Sequence, residues 1–195
     1  MLLITVPHAR REASLSHDEG AIQMIPYLKS ALDSAGVEYE LLVGDETFRG
    51  IIDLNRGESR NTPFAKEFAK LLTKSSMHID LHSFPYLSPD ADDADSITAM
   101  GDDLRDWSVS DVVLLTVPEI TDELFVEDML SSLEDVVTVD DIETADYNYL
   151  TVFAQVAMGV PSILLELNEN SVPSYPAVAA AVAEAVAVRL GLVDE

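Results

Sequence analysis

Six short apolar runs alternate along this chain with five segments whose apolar residues recur at helical spacing, and few folds accept that pattern. Leu2 to Val6, Tyr39 to Val43, Met77 to Leu81, Val112 to Val117, Val136 to Val139 and Ser162 to Leu167 read as strands. Between them, Ala21 to Ala35 carries Ile22, Ile25, Leu28 and Leu32 and stops at Gly36, while Phe64 to Leu72 repeats Phe64, Phe68, Leu71 and Leu72. Glu123 to Leu133, Tyr147 to Met158 and Ala177 to Leu190 read as the other helices, the last two closed by Gly159 and Gly191. Strands alternating with helices imply a doubly wound α/β domain around a mostly parallel or mixed sheet. At 195 residues the expectation is one domain over 1–195.

Charge narrows what such a domain can meet. Asp and Glu number 36 against 11 Lys and Arg, a formal net charge of −25. That surface repels phosphate backbones and anionic membranes, so no nucleic-acid or membrane partner is expected. Self-repulsion on this scale is relieved in molar salt, where the Debye length shrinks to about 3 Å. The acid surplus thus reads as halophilic, and an acidic protein of ordinary salt is the alternative. The densest acidic stretch, Asp90 to Asp95, lacks the Gly and distal Glu of a calcium loop and reads as a solvated loop. With no cysteine, disulfides, thiolate metal sites and thiol catalysis are excluded. The start has no basic region before a short apolar run, and no stretch reaches membrane-spanning length. A cytoplasmic location in a salt-adapted organism is the expectation.

The chemistry-bearing residues fall where such sheets bind ligands, outside the carboxyl ends of the strands. His8 follows the first strand, His82 ends the third, and Glu166 interrupts the apolar run Ile163-Leu164-Leu165-Glu166-Leu167. A carboxylate in such a run is costly unless paired, metal-bound or open to a cleft. Two histidines and one acid make the usual catalytic zinc set. The acid has candidates in Glu12, Asp18 and Glu19; Asp18 stands just before the first helix and would serve equally as its N-cap. His17 is a further candidate ligand, though a surface position suits it better. Asp80, two residues from His82 on one strand face, would orient that ring or simply accept a buried hydrogen bond. Arg49 to Arg56 places two arginines in a chain poor in bases, which suits an anion site or plain ion pairs. No Gly-x-Ser-x-Gly elbow or phosphate-binding glycine loop occurs.

Four pieces in order, Val6-Pro7-His8-Ala9, Arg49 through Asp53-Leu54-Asn55-Arg56, Ile79-Asp80-Leu81-His82-Ser83 and Leu165-Glu166-Leu167-Asn168, resemble the N-formylglutamate amidohydrolase family. That family groups with aspartoacylases, succinylglutamate desuccinylases and zinc carboxypeptidases. The resemblance spans about Leu2 to Asn168. It implies a three-layer α/β/α, zinc-carboxypeptidase-like (phosphorylase/hydrolase-like) fold holding one Zn2+. It gives His8 and His82 as zinc histidines, Glu166 as general base, Arg49 as the group polarising the scissile carbonyl, and Asn55 with Arg56 as the grip on a substrate carboxylate. In carboxypeptidases the acidic ligand lies three residues after the first histidine, where this chain has Arg11. The amidohydrolase arrangement places it at the helix start, favouring Asp18, with Glu12 as the alternative. The implied function is zinc-dependent hydrolysis of an amide in a small carboxylate-bearing N-acyl amino acid. A γ-glutamyl peptide or poly-γ-glutamate substrate is the second reading. A non-catalytic binding or assembly protein on the same fold is the third.

Overall fold

Every residue of β1 (Leu2–Val6) and of β3 (Met77–Phe84) is buried, as expected of strands covered on both faces. The computed structural model describes residues 1–10, 17–44, 52–84, 110–143 and 148–193. They form one six-stranded sheet in the order β2-β1-β3-β6-β4-β5. The other strands are β2 (Tyr39–Val43), β4 (Val112–Thr116), β5 (Val139–Glu143) and β6 (Ser162–Asn168). β1 runs parallel to β2 and β3, and β3 to β6, while β4 meets β6 antiparallel and carries β5 parallel beside it. The sheet is mixed and mostly parallel.

The helices are α1 (Glu19–Ser34), α2 (Pro63–Leu72), α3 (Glu123–Glu134), α4 (Leu150–Met158) and α5 (Tyr175–Arg189). Strand alternation sorts them onto two faces. Leu2, Ile4, Ile79, Leu81, Ile163 and Leu165 share the larger core with α1, α3 and α5, including Leu28, Phe125 and Val182. The opposite face meets α2 and α4 through Leu3, Phe64, Phe68, Leu150 and Ala154. This is the three-layer α/β/α arrangement. Gly36 ends α1 region at φ +69°, a conformation that glycine adopts without Cβ strain.

Two strands depart from the sequence reading. β3 does not end at His82 but continues through Phe84, because Leu81 to Phe84 pair in register with Leu165 to Asn168. His82 therefore sits inside a buried strand. The fifth strand is Val139–Glu143 rather than Val136 to Val139. Val136 and Val137 belong instead to the turn after α3, their N–H groups donating to Leu133 O. The apolar pair hid an acid-rich edge strand, whose charges suit an unpaired sheet edge. The Asp90 to Asp95 stretch lies outside the described residues.

Candidate metal centre

The strand order reverses between β1 and β3. β1 leads through α1 to β2 on one side, and β2 returns through α2 to β3 on the other. Such a switch point opens a crevice at the strand ends. His8 lies just beyond β1 and His82 within β3, so they face each other across it, ring centroids 4.8 Å apart. Asp18 comes from the residue before α1. Its N–H donates to His8 O at 3.0 Å, tying the helix start to the end of β1. It occupies the N-cap position, yet its carboxylate makes no cap hydrogen bond. It turns instead to the histidines: Asp18 Oδ2 lies 3.2 Å from His8 Nδ1 and 2.8 Å from His82 Nδ1. Close packing of α1 helps hold it there, since a Cβ on Gly20 would lie 2.5 Å from the Tyr175 hydroxyl and 2.8 Å from Ser83 Cβ.

These three side chains fit a divalent metal. All are buried, and one ligand atom from each lies within 4.8 Å of the others. Both outer imidazole nitrogens are engaged by carboxylates. His8 Nε2–H donates to Asp53 Oδ1 at 2.7 Å, and His82 Nε2 lies 3.1 Å from Asp80 Oδ2. With protons on both Nε2 atoms, two Nδ1 lone pairs and a carboxylate oxygen point at one another. That arrangement is repulsive until a proton or cation enters. Two nitrogens and one oxygen, each imidazole backed by a carboxylate, are the donor chemistry and support of a catalytic zinc site. The electrostatics agree. Burial opposes a charged His82, but the Asp80 charge and hydrogen bonds to Asp18 and Asp80 outweigh it and hold the ring's pKa well above its usual value. Burial would likewise raise Asp18, yet its hydrogen bonds and charge interactions with both histidines hold it well below the carboxylate range.

Behind the centre runs a buried polar chain that crosses three strands. Ser162 Oγ lies 2.6 Å from His78 Nδ1, and His78 Nε2 lies 2.8 Å from Thr5 Oγ1. The Thr5 hydroxyl donates to Asp80 Oδ1 at 2.5 Å, and Asp80 reaches His82. Thr5, His78, Asp80 and Ser162 are each 0% exposed. Because Thr5 donates to Asp80, it accepts from His78 Nε2–H, which leaves His78 neutral with Nδ1 accepting from Ser162. Burial, chiefly, depresses His78 from 6.5 to about 4. An unfolded histidine therefore takes up a proton before the folded one does. Its contribution is complete above pH 6.5 and is lost as pH falls toward 4, by about 3 kcal/mol for a shift of this size. Melting measured between pH 7 and 4.5 should show a steeper loss in wild type than in His78→Gln. Parallel profiles would contradict the neutral, buried ring.

The remaining residues singled out in the sequence are placed as follows. Glu166 pairs in register with His82 on one side and Val113 on the other, and is partly buried in an otherwise buried β6. Register puts it on the same sheet face as His82. Asn55 is buried, with Nδ2 3.0 Å from His82 Nε2 and Oδ1 accepting from Leu150 N–H at 3.1 Å. It thus ties its own segment to α4 beside the His82 ring. Arg56 lies over the Tyr149 ring at 4.1 Å and 3.7 Å from Asp53 Oδ2. His17 is not in the cluster; it pairs with Glu19 at 3.4 Å and is partly exposed. Arg49 and Glu12 lie outside the described residues. Sequence reasoning gave no role to Asp53, Thr5, His78 or Ser162. Asp53 alone had a signal, its place two residues before Asn55 in the motif.

No family model matches the chain, and no curated protein does. Solved structures do. The catalytic domain of CwlV, an N-acetylmuramoyl-L-alanine amidase from Bacillus (Paenibacillus) polymyxa var. colistinus, superposes with a TM-score of 0.61 at 13% identity over 98% of both chains. A metallo-carboxypeptidase from Burkholderia cenocepacia gives 0.63 at 12% identity, covering 97% of this chain and 56% of that one. A bacteriophage poly-gamma-glutamate hydrolase gives 0.59 at 11% identity, covering 98% and 86%. At these identities the likeness is one of fold. It does not single out the N-formylglutamate amidohydrolases. The chain has the α/β/α fold shared by metallo-carboxypeptidases and N-acetylmuramoyl-L-alanine amidases.

Proposed function

We propose that this chain is a metal-dependent hydrolase, most simply a zinc one, cleaving the amide bond of a small carboxylate-bearing N-acyl amino acid. The observation that carries this reading is the convergence of His8, Asp18 and His82 across the switch point, with Glu166 in register beside His82. A zinc held by those three residues supplies, when bound, a Lewis acid and a water that ionises near pH 7. The protein's own groups do the rest. Glu166 takes the proton of the attacking water and delivers it to the leaving amine as the C–N bond breaks, so that amide and water become acid and amine. Asp53 and Asp80 hold the two imidazoles in the tautomer that leaves Nδ1 to a metal. Arg49 stands in this proposal as a stabiliser of the developing oxyanion. Arg56, over the Tyr149 ring, offers a guanidinium to the substrate carboxylate, with Asn55 fixing the segment that carries it.

Chelation followed by metal replacement tests this. Hydrolysis of a panel of N-acyl amino acids should vanish with chelator and return with zinc. Turnover that persists without metal, or a protein that binds none, would overturn it. A poly-γ-glutamate substrate is the second reading, supported by the likeness to the phage hydrolase and opposed by the −25 charge, which repels a polyanion unless salt screens both.

Salt adaptation is part of the same proposal and rests on 36 acids against 11 bases. The melting midpoint should rise strongly between dilute and molar KCl. A flat response would remove it.

A further inference from the structure

Asp18 holds the N-cap position of α1 but turns its carboxylate to the histidines, so the first turn of α1 needs another acceptor. It finds one far along the chain. Glu169 Oε1 accepts from Gly20 N–H at 3.2 Å. Gly20 is the second residue of α1, and its N–H is one of the two that an N-cap side chain ordinarily satisfies. Glu169 thus supplies, from the end of β6, the cap that Asp18 withholds. A carboxylate there also meets the positive end of the helix dipole.

The same oxygen does a second thing. It accepts from the Ser83 hydroxyl at 2.8 Å, and Ser83 follows His82 on β3. One carboxylate oxygen therefore ties the helix that follows Asp18 to the strand residue next to His82. Alternation along β3 sends Ser83 to the sheet face opposite His82, and Glu169 is outside the metal-ligand cluster. Glu169 is itself held in place. Its N–H donates to Phe84 O at 3.1 Å, just past the pair of Asn168 with Phe84. A Cβ on Gly20 would lie 3.1 Å from Glu169 Cγ, so helix and carboxylate meet closely because that residue is glycine. Beside them the buried Tyr175 hydroxyl donates to Asn168 O at 3.1 Å. Burial and the Glu169 charge push that phenol up, which keeps it protonated as a donor. Without Glu169, the carboxylate next to the Gly20 N–H in sequence is that of Asp18, which caps its helix only by turning away from the histidines.

We propose that Glu169 is a positioning residue for the metal centre: it caps α1 in place of Asp18 and so leaves the Asp18 carboxylate to the metal. This rests on the metal-hydrolase reading, so the test reads metal binding apart from turnover. Zinc affinity, measured by competition with a chromophoric chelator in molar KCl, is compared for wild type, Glu169→Met and Glu169→Gln, with melting of each metal-free protein alongside. Methionine keeps the length and removes both acceptor oxygens. Glutamine keeps one, and one suffices, because Oε1 takes both hydrogen bonds. Glu169→Met should weaken zinc binding about tenfold, the order of an N-cap's worth expressed as affinity. Glu169→Gln should stay within about threefold of wild type. Glu169 is partly exposed, so both side chains should be accommodated, and Glu169→Ala takes the place of the methionine variant should that one not fold. A Glu169 that only supports the fold would lower melting and leave the zinc affinity of the folded protein unchanged, and that result would overturn the proposal. Glutamine as weak as methionine would overturn it too, because charge rather than capping would then set the affinity. Should the zinc pattern hold while no N-acyl amino acid is cleaved, the positioning role stands and the hydrolase reading falls. Hydrolysis with equal zinc affinity in all three proteins gives the reverse, and a wild type that takes up no zinc overturns both.

Discussion

Replacing His82 with alanine is expected to leave the protein with far less than the one metal per chain expected of wild type, and with hydrolysis reduced about 10³-fold or more, the worth of several kcal/mol of metal-supplied stabilisation. Three lines converge on this residue. His82 Nδ1 is the nearer imidazole atom to Asp18 Oδ2, at 2.8 Å, and its far edge meets both Asp80 and Asn55. It is 3% exposed, so no other group replaces it from solvent. Elemental analysis of native protein and variant decides the matter, and equal metal in both would sink the assignment. Asp18→Asn should behave likewise, while Glu12→Gln should keep its metal. The reverse result would move the acidic ligand to Glu12 and leave the site intact. Removing a group behind the ligands should cost less: Asp80→Asn should weaken metal binding about 10–100-fold. Folding must be checked in each case, because Asp80 also anchors Thr5.

Why His82 was legible in the sequence, and Thr5 was not, is a matter of what local pattern encodes. In Met77 to Leu81 the apolar residues Met77, Ile79 and Leu81 alternate with polar ones and declare a strand, and a histidine at its end stands out. The position of His8 and Glu166 could be read the same way, and the motif order supplied Asn55 and Arg56. Thr5, His78 and Ser162 looked like ordinary strand residues. Their partnership exists only because β1, β3 and β6 are adjacent and in register, with Thr5 beside Asp80 and His78 beside Ser162. Strand order is a long-range property that no local pattern contains. The same limit explains the fifth strand. Val136 and Val137 carry the β-branched signal, but a turn after α3 uses their N–H groups, and the true strand Val139–Glu143 reads as too acidic for a core. Asp18 was ambiguous for a different reason. N-cap and ligand demand the same residue at the same place, and only the direction of the carboxylate, away from its own helix, separates them.

Glu166 supplies the sharpest test of whether the centre is catalytic. It is the one partly buried residue in β6, flanked by Leu165 and Leu167 and paired in register with His82. A strand so buried gains nothing from a carboxylate as packing, and leucine there would contribute more to stability. Set on the same sheet face as His82, it is the group that would handle the proton of the attacking water in the proposed reaction. Glu166→Gln preserves shape and removes the basic oxygen, so metal content and fold should stay as in wild type. kcat should fall about 10²–10⁴-fold, the usual contribution of positioned proton transfer, with a smaller change in KM because substrate contacts are retained. A variant that loses metal would make Glu166 a ligand. A variant that hydrolyses at the wild-type rate but melts at a different temperature would make it structural. Metal content, melting and kinetics on this single substitution separate the three roles, and only unchanged metal and fold with depressed kcat assign it the general base.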